Sequence, residues 1–286
     1  MRQFIVNQMS EHTPGALNVA RQITRRARTW WRHQLTSTYL LSYPGCGRTW
    51  LTILIGKTFI DGMDIADIHP SQLTELARAR REVPRVWVLH DDRPQLRRPE
   101  DVVRDKRRFA SKSVVLLLRD PRDAIISYYF EASKRRGRFD GTPGEFIRNP
   151  IGGIDTLIAY YNVWANNRDV PRKLCVVHYE ELRREPVVQL ERVMQAIGYV
   201  PPRAVLEGAV EFGKFENLRK VETKGDLRPD LDRHKTGDAE SFKVRKGRVG
   251  GYREYLSPED IDWLDTRIAQ RLSPFYREYL KPPKSS

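Results

Sequence analysis

The chain has 286 residues, of which 40% are hydrophobic, which is sufficient for one globular domain with a substantial core. Its formal net charge of +14 favours anionic ligands, and nucleic acid, acidic lipid and polyphosphate all qualify. The two cysteines exclude a disulfide framework and have no metal-ligand spacing. The sequence shows neither a signal-peptide pattern nor a long apolar run, so we expect a soluble, cytoplasmic protein.

The first element in chain order is a basic segment at residues 20–35, which contains five arginines around Trp30 and Trp31. Two interpretations stay open. A helix docked on the edge of the domain through its tryptophans is favoured, and a helix that lies on an anionic membrane surface is the alternative.

A strand, a glycine-containing turn and a helix follow. A short apolar run predicts a buried strand at 38–43, and residues at helical spacing begin at Thr49. A turn between them aims backbone N–H groups outward at the positive end of the helix dipole, which makes an anion site. A Walker A loop has a second glycine five positions before its Gly-Lys-Thr stretch. Here the stretch begins at Gly56 and the earlier position is Leu51, so the turn is not a Walker A loop. Alone, the turn fits a purely structural connection equally well.

Three more apolar runs of strand length alternate with helical patterns. The runs lie at 85–90, 113–120 and 173–180, and the helical patterns at 121–136, 153–167 and 185–198. This alternation predicts an α/β fold of three layers, with a central, mainly parallel sheet of four strands flanked by helices. Ligands of such sheets bind beyond the carboxyl ends of the strands. The groups expected at that rim are the turn at 44–48, His90, Arg119, His178 and Tyr179.

Two polar stretches and the chain ends complete the division of the chain. We expect the basic stretch 131–153 to be a mobile loop over the rim, and 222–241 to be a second flap or a disordered segment. The predicted organisation is a basic helical extension at 1–36, a single domain at 37–280 and a disordered tail at 281–286.

Two further patterns place cations where an anion would bind. Arg119 ends a strand, and Ser127 follows eight residues later in the next helix, so both can reach one phosphate. Arg245, Lys246 and Gly247 offer a guanidinium fork, an ammonium and a bare backbone N–H in consecutive positions. A capped helix with a surface arginine and a solvated basic loop are the respective alternatives.

Together these patterns resemble the sulfotransferases that use 3′-phosphoadenosine 5′-phosphosulfate (PAPS), and most closely the cytosolic type. The family turn Tyr-Pro-Lys-Ser-Gly-Thr-Thr-Trp is matched by Tyr43 to Trp50, and the family's arginine with a serine eight residues later by Arg119 and Ser127. Its C-terminal Arg-Lys-Gly-x-x-Gly motif is matched from Arg245 onward. The resemblance spans about residues 38–260 and implies the P-loop NTPase-like sulfotransferase fold.

The resemblance also implies roles for individual residues. Those implied at the 5′-phosphosulfate are Gly45, Cys46, Gly47, Arg48 and Thr49, and those implied at the 3′-phosphate are Arg119, Ser127, Arg245, Lys246 and Gly247. Those implied around the adenine are Trp50, Tyr179 and Phe215. His90 matches the general base of the family, against the plain alternative of a rim histidine beside two surface aspartates.

Two lysines of the family are absent, because the donor-loop lysine is Gly45 here and the lysine two positions before the histidine is Val88. Arg48 is the local candidate to supply the missing charge, as a second catalytic residue. The implied reaction is in-line transfer of a sulfuryl group from PAPS to a hydroxyl or amine, with PAP as product, His90 as general base and no metal.

Several alternatives stay open. A kinase-like P-loop protein shares the strand-turn-helix plan but requires a Walker lysine and a magnesium-binding aspartate. A PAP- or PAPS-binding protein of degenerate activity fits the loss of both lysines. No specific nucleic-acid motif accompanies the charge. The basic loop at 134–138 favours an anionic acceptor, such as an acidic glycan or a lipid head group, over a neutral phenol or steroid. Aromatic residues such as Tyr128 and Phe130 also fit an aromatic acceptor. The sequence gives no oligomeric state.

Overall fold

The computed structural model describes residues 16–218 and 248–281. The predicted site residues Arg245, Lys246 and Gly247 lie outside the described residues, as do the stretch 222–241 and all but the first residue of the predicted tail.

The core is a parallel sheet of four strands in the order β2-β1-β3-β4. The strands are β1 (Thr38–Ser42), β2 (Val86–Leu89), β3 (Ser113–Leu118) and β4 (Lys173–His178). Every residue of β1 and of β3 is buried, because helices cover both faces of the sheet, and strands covered on both faces are apolar without alternation. The predicted parallel sheet of four strands is therefore confirmed.

Ten α-helices lie entirely within the described residues. They are α1 (Ala16–Leu35), α2 (Arg48–Met63), α3 (Leu73–Ala79), α4 (Pro121–Phe130), α5 (Pro143–Ile147), α6 (Ile154–Asn166), α7 (Tyr179–Arg184), α8 (Pro186–Ile197), α9 (Arg203–Phe212) and α10 (Pro258–Arg271). The three predicted helices correspond to α4, α6 and α8. Asp120 starts α4 by accepting a hydrogen bond from the Arg122 N–H at 2.9 Å, with Pro121 at the first helical position.

The segment expected to be a mobile loop contains two short helical stretches, with irregular chain between and after them. A π-helical turn, Glu131–Arg135, continues α4, and α5 begins at a capping box formed by Thr142 and Glu145. The chain reverses after the π-helical turn, where the Arg138 N–H donates to the Ala132 carbonyl at 2.7 Å. These tertiary and capping bonds order a stretch whose composition alone is typical of a loop.

Helix α1 docks on the domain, but not through its tryptophans as expected. The Arg32 guanidinium lies 4.5 Å from the Trp87 ring centre, and the Lys112 ammonium donates to the Thr36 carbonyl at 2.9 Å. Trp30 and Trp31 are 54% and 60% exposed, because the face of α1 that meets the sheet edge carries Arg32 instead. None of the described helices is both long enough and apolar enough to cross a bilayer.

Candidate active site

A cavity of about 620 Å³ opens at the carboxyl end of the sheet. Its volume is typical of small-molecule sites, and its place is the one that parallel α/β sheets favour for ligands. The turn after β1, His90 after β2, Arg119 after β3 and Tyr179 after β4 all line it. The predicted convergence of the strand ends is therefore observed, with the exception of His178, which does not line the cavity and whose Nδ1 lies 2.7 Å from the Tyr279 hydroxyl.

The turn between β1 and α2 requires glycine at two positions. Gly45 and Gly47 have φ of +86° and +87°, which is the left-handed region. A β-carbon at Gly47 would lie 2.7 Å from the Tyr179 ring, and one at Gly45 would collide with the Ala124 carbonyl. Gly47 caps α2 without a side-chain hydrogen bond, so the first N–H groups of the helix face the cavity as an anion site does.

Cys46 contributes only its backbone to this turn. Its side chain is fully buried, with the sulfur 3.5 Å from the Tyr161 hydroxyl. Burial raises the pKa of the Cys46 thiol to about 12, although the guanidinium groups of Arg119 and Arg48 act in the opposite direction. The charges of both arginines therefore reach the turn, and the thiol itself is inert.

Arg119 joins the turn to the C-terminal part of the chain. Its Nη1 donates to the Gly45 carbonyl at 3.1 Å and its Nη2 to the Arg248 carbonyl at 2.9 Å. The guanidinium lies 4.4 Å from the centre of the Tyr179 ring. Its Nε is buried and has no hydrogen-bond partner among the described residues. A buried charged donor without a partner is costly, so this atom suits an anionic ligand.

Asp123 is a site residue that the sequence analysis missed. Its carboxylate accepts hydrogen bonds from the Gly250 N–H at 2.7 Å and the Tyr252 N–H at 3.0 Å, and it lies 3.7 Å from Arg119. It thereby holds the segment that follows Arg245 to Gly247 against the cavity, where Arg248, next in the chain, is a lining residue. The signal was present, since Asp123 follows Arg119 by four residues, within reach of an ion pair at the start of a helix.

An aromatic group lies beside Arg119. The Trp50 indole donates to the Gly213 carbonyl at 2.9 Å, and its ring centre lies 5.8 Å from that of Tyr179. Phe215 and Ser127 line the same cavity. The structure therefore brings together all the predicted adenine-facing residues, and it places the predicted phosphate-binding serine in the same space.

His90 is held in one orientation by the main chain. Its Nδ1 donates to the Ser42 carbonyl at 2.8 Å. Because a carbonyl oxygen only accepts, Nδ1 carries the proton and Nε2 carries the lone pair of the neutral ring. The neighbouring carboxylate of Asp91 is buried and pairs with Lys106 at 2.6 Å, and Arg108 pairs with Asp91 and Asp92. The two aspartates therefore pair with Lys106 and Arg108, with Asp91 buried and Asp92 partly exposed.

A family model described as Sulfotransferase domain matches residues 35–275. The chain belongs to the sulfotransferase family. Relatives include Cytosolic sulfotransferase 13 of Arabidopsis thaliana, 27% identical over 259 residues, which cover 82% of this chain and 76% of that protein. Flavonol 3-sulfotransferase of Flaveria bidentis is 24% identical over 265 residues, which cover 82% of this chain and 81% of that protein.

Solved structures share the fold of this sulfotransferase. A mouse sulfotransferase complexed with PAP superposes with a TM-score of 0.58 at 17% identity, covering 82% of this chain and 84% of the other. Retinol dehydratase in complex with androsterone and PAP superposes with a TM-score of 0.57 at 15% identity, covering 87% of this chain and 82% of the other. The predicted fold and family are confirmed.

The sulfotransferase departs from its family's motif at two lysines, and the structure shows what surrounds the replacements. Gly45 and Val88 both line the cavity, and Arg48, at the first position of α2, lines it as well. The guanidinium of Arg48 is therefore close to the space from which both lysines are missing. Among the described residues, no group of three histidine, cysteine, aspartate or glutamate side chains has the arrangement of a metal site.

Proposed function

We propose that this sulfotransferase transfers the sulfuryl group of PAPS to a hydroxyl or amine of an acceptor, with His90 as general base and PAP as product. One observation carries the proposal: a single cavity is lined by the first residues of α2, by Arg119 and by His90, whose Nδ1 is bound to the Ser42 carbonyl. Two of the fold neighbours are complexes with PAP, which supports the nucleotide.

The residues present fit the two charged ends of PAPS. The N–H groups from Gly45 to Thr49 and the guanidinium of Arg48 suit the phosphosulfate, since hydrogen bonds to an anion are short and strong. Arg119 and Ser127 suit the 3′-phosphate, and Trp50, Tyr179 and Phe215 offer flat faces to the adenine. The segment after residue 247 returns to this cavity, which supports the proposed role of Arg245, Lys246 and Gly247 at the 3′-phosphate.

In the proposed reaction, His90 accepts the proton of the acceptor's hydroxyl on Nε2. The acceptor oxygen forms a bond to sulfur while the bond from sulfur to the bridging oxygen breaks, and both electrons of that bond stay on the phosphate of PAP. Backbone N–H groups of the turn and Arg48 stabilise the charge that develops on these oxygens. A positioned base contributes on the order of a hundredfold to ten-thousandfold.

We also propose a cytoplasmic location with peripheral membrane contact through α1. Trp30, Trp31 and Leu35 are exposed apolar side chains, and the exposed Arg28 adds positive charge beside them. Co-sedimentation with phosphatidylserine vesicles, but not with phosphatidylcholine vesicles, is expected, and the double variant Trp30→Ala, Trp31→Ala should lose it. If the variant sediments with the vesicles as fully as the unaltered protein does, α1 does not bind the membrane.

The function is tested by incubating the protein with PAPS labelled in its sulfur and an extract of its source. We expect label to enter one acceptor and an equal amount of PAP to form. Release of free sulfate without a labelled acceptor would leave a binding protein of degenerate activity. A higher affinity for ATP than for PAP, measured by calorimetry, would favour the kinase-like alternative.

A further inference from the structure

The cavity that contains His90 has a cationic wall. Arg93, whose N–H donates to the His90 carbonyl at 3.1 Å, lines it from one side. Arg135, Arg136 and Arg138 line it as well, from the segment that follows α4. Two carboxylates, Glu131 and Asp123, are among the described residues that line the cavity. Asp123 is bound to the segment at 250–252, which leaves Glu131 to balance the four guanidinium groups.

The ion pairs do not balance this charge. Arg136 pairs with Glu131 at 3.0 Å. Arg93 and Arg138 form no ion pair with any carboxylate in the described ranges, 16–218 and 248–281. Two guanidinium groups therefore line the same cavity as the proposed base and have no counterion among the described residues.

Arg93 and Arg138 have exposed side chains, and the backbone that carries them is held by the domain. Ala132 is buried, and its carbonyl accepts the Arg138 N–H, while Gly137 turns the chain with φ of +58° and donates to the Ser133 carbonyl at 3.1 Å. Tyr128 of α4 donates to the Gln95 carbonyl at 3.4 Å, which links α4 to the turn that carries Arg93. The cationic wall is thus part of the structured domain.

Electrostatics at Tyr128 shows that the arginine charges act on the cavity wall. Burial and the Glu131 carboxylate together raise the pKa of Tyr128 to about 12, while the charges of Arg138 and Arg136 act in the opposite direction. Tyr128, Phe130 and Leu96 also line this part of the cavity and supply apolar surface.

We propose that the acceptor is an anion, and that Arg93 and Arg138 hold its carboxylate, sulfate or phosphate group while its hydroxyl lies at His90. Planar guanidinium forks bind such groups with two parallel hydrogen bonds, which fixes the acceptor's orientation as well as its affinity. The inference rests on the proposed function, because it assigns the acceptor of that reaction.

Two probes of equal shape test it: 2-naphthol, and 6-hydroxy-2-naphthoate, which adds one carboxylate. Each is titrated by calorimetry into protein saturated with PAP. We expect the naphthoate to bind about tenfold more tightly, a ratio equivalent to about 1.4 kcal/mol for one charge-assisted contact. Arg138→Glu and Arg93→Glu should each abolish this preference with the affinity for PAP unchanged.

Arg81→Glu is the matched control, since Arg81 is exposed in the segment before the amino end of β2, away from the cavity. It makes the same change of charge and should keep the preference. Equal affinity for the two probes, no measurable binding of either, or a preference that survives both cavity variants would each overturn the inference. PAP affinity and sulfur transfer are measured separately, so loss of transfer with the preference intact would count against the proposed function alone.

Discussion

Gly47→Ala tests whether the turn is built to hold an anion. Gly47 has φ of +87°, and a β-carbon there would lie 2.7 Å from two carbons of the Tyr179 ring. Carbon atoms in good contact lie about 3.5 to 4.0 Å apart, so the ring or the turn must move by roughly 1 Å. We expect the lost N–H contacts to weaken PAP binding by about tenfold to a hundredfold, at about 1.5 to 3 kcal/mol for each hydrogen bond to a charged group.

Gly198→Ala is the matched control. Gly198 has φ of +95° but nothing within 4 Å of an added β-carbon. Both variants should lose about 1 to 2 kcal/mol of unfolding free energy through backbone strain, measured by urea denaturation. Only Gly47→Ala should lose affinity for PAP, measured by calorimetry. In a Tyr179→Ala background the extra cost of Gly47→Ala should vanish, because the clash is gone. Unchanged PAP affinity in Gly47→Ala would refute this reasoning about the turn.

Three further predictions concern single groups of the site. Arg48→Ala should lower kcat by about a hundredfold or more, because loss of one donor to a developing oxyanion has an effect of that size. Arg48→Lys should recover part of the lost rate, and equal rates for the two variants would exclude a role for the charge. The Cys175→Ser variant leaves Cys46 as the remaining thiol. Below pH 9, Cys46 should react with iodoacetamide about a thousandfold more slowly than a free cysteine, because a pKa of about 12 rather than 9.0 leaves that much less thiolate. A reaction rate equal to that of free cysteine would contradict the burial of Cys46. Asp123→Asn should weaken PAP binding by about tenfold, since the charge that holds residues 250–252 is lost, whereas Asp262→Asn, on the exposed face of α10, should not.

The sheet could be predicted because its physics is local. Each strand is a short apolar run, and the observed bounds lie within the predicted ones, as in β3, Ser113–Leu118, against a prediction of 113–120. The two residues beyond β3 are Arg119 and Asp120, which leave the strand to reach the cavity and to cap α4. Strand ends of a parallel sheet converge at one edge, so most of the candidate site followed from the strands.

The remaining features depend on contacts between distant parts of the chain. Asp123 binds the N–H groups of Gly250 and Tyr252 across more than a hundred residues, and no periodicity encodes such a contact. The π-helical turn at Glu131–Arg135 lies where the predicted helical pattern at 121–136 and the predicted loop at 131–153 overlap, and the burial of Ala132 favours the helix. Helix α5 could have been found, because Thr-Pro-Gly-Glu at its start is a capping-box signature with proline at the first helical position.

His90 is proposed to take the acceptor's proton, and other residues of the cavity are proposed to bind the nucleotide. The most direct measurement is single-turnover sulfur transfer from labelled PAPS in His90→Ala, alongside calorimetric PAP affinity. We predict a rate lowered by about a hundredfold to ten-thousandfold, with PAP affinity preserved because His90 is proposed to act on the acceptor and not on the nucleotide. Transfer at the rate of the unaltered protein, or a matching collapse of PAP affinity, would contradict it.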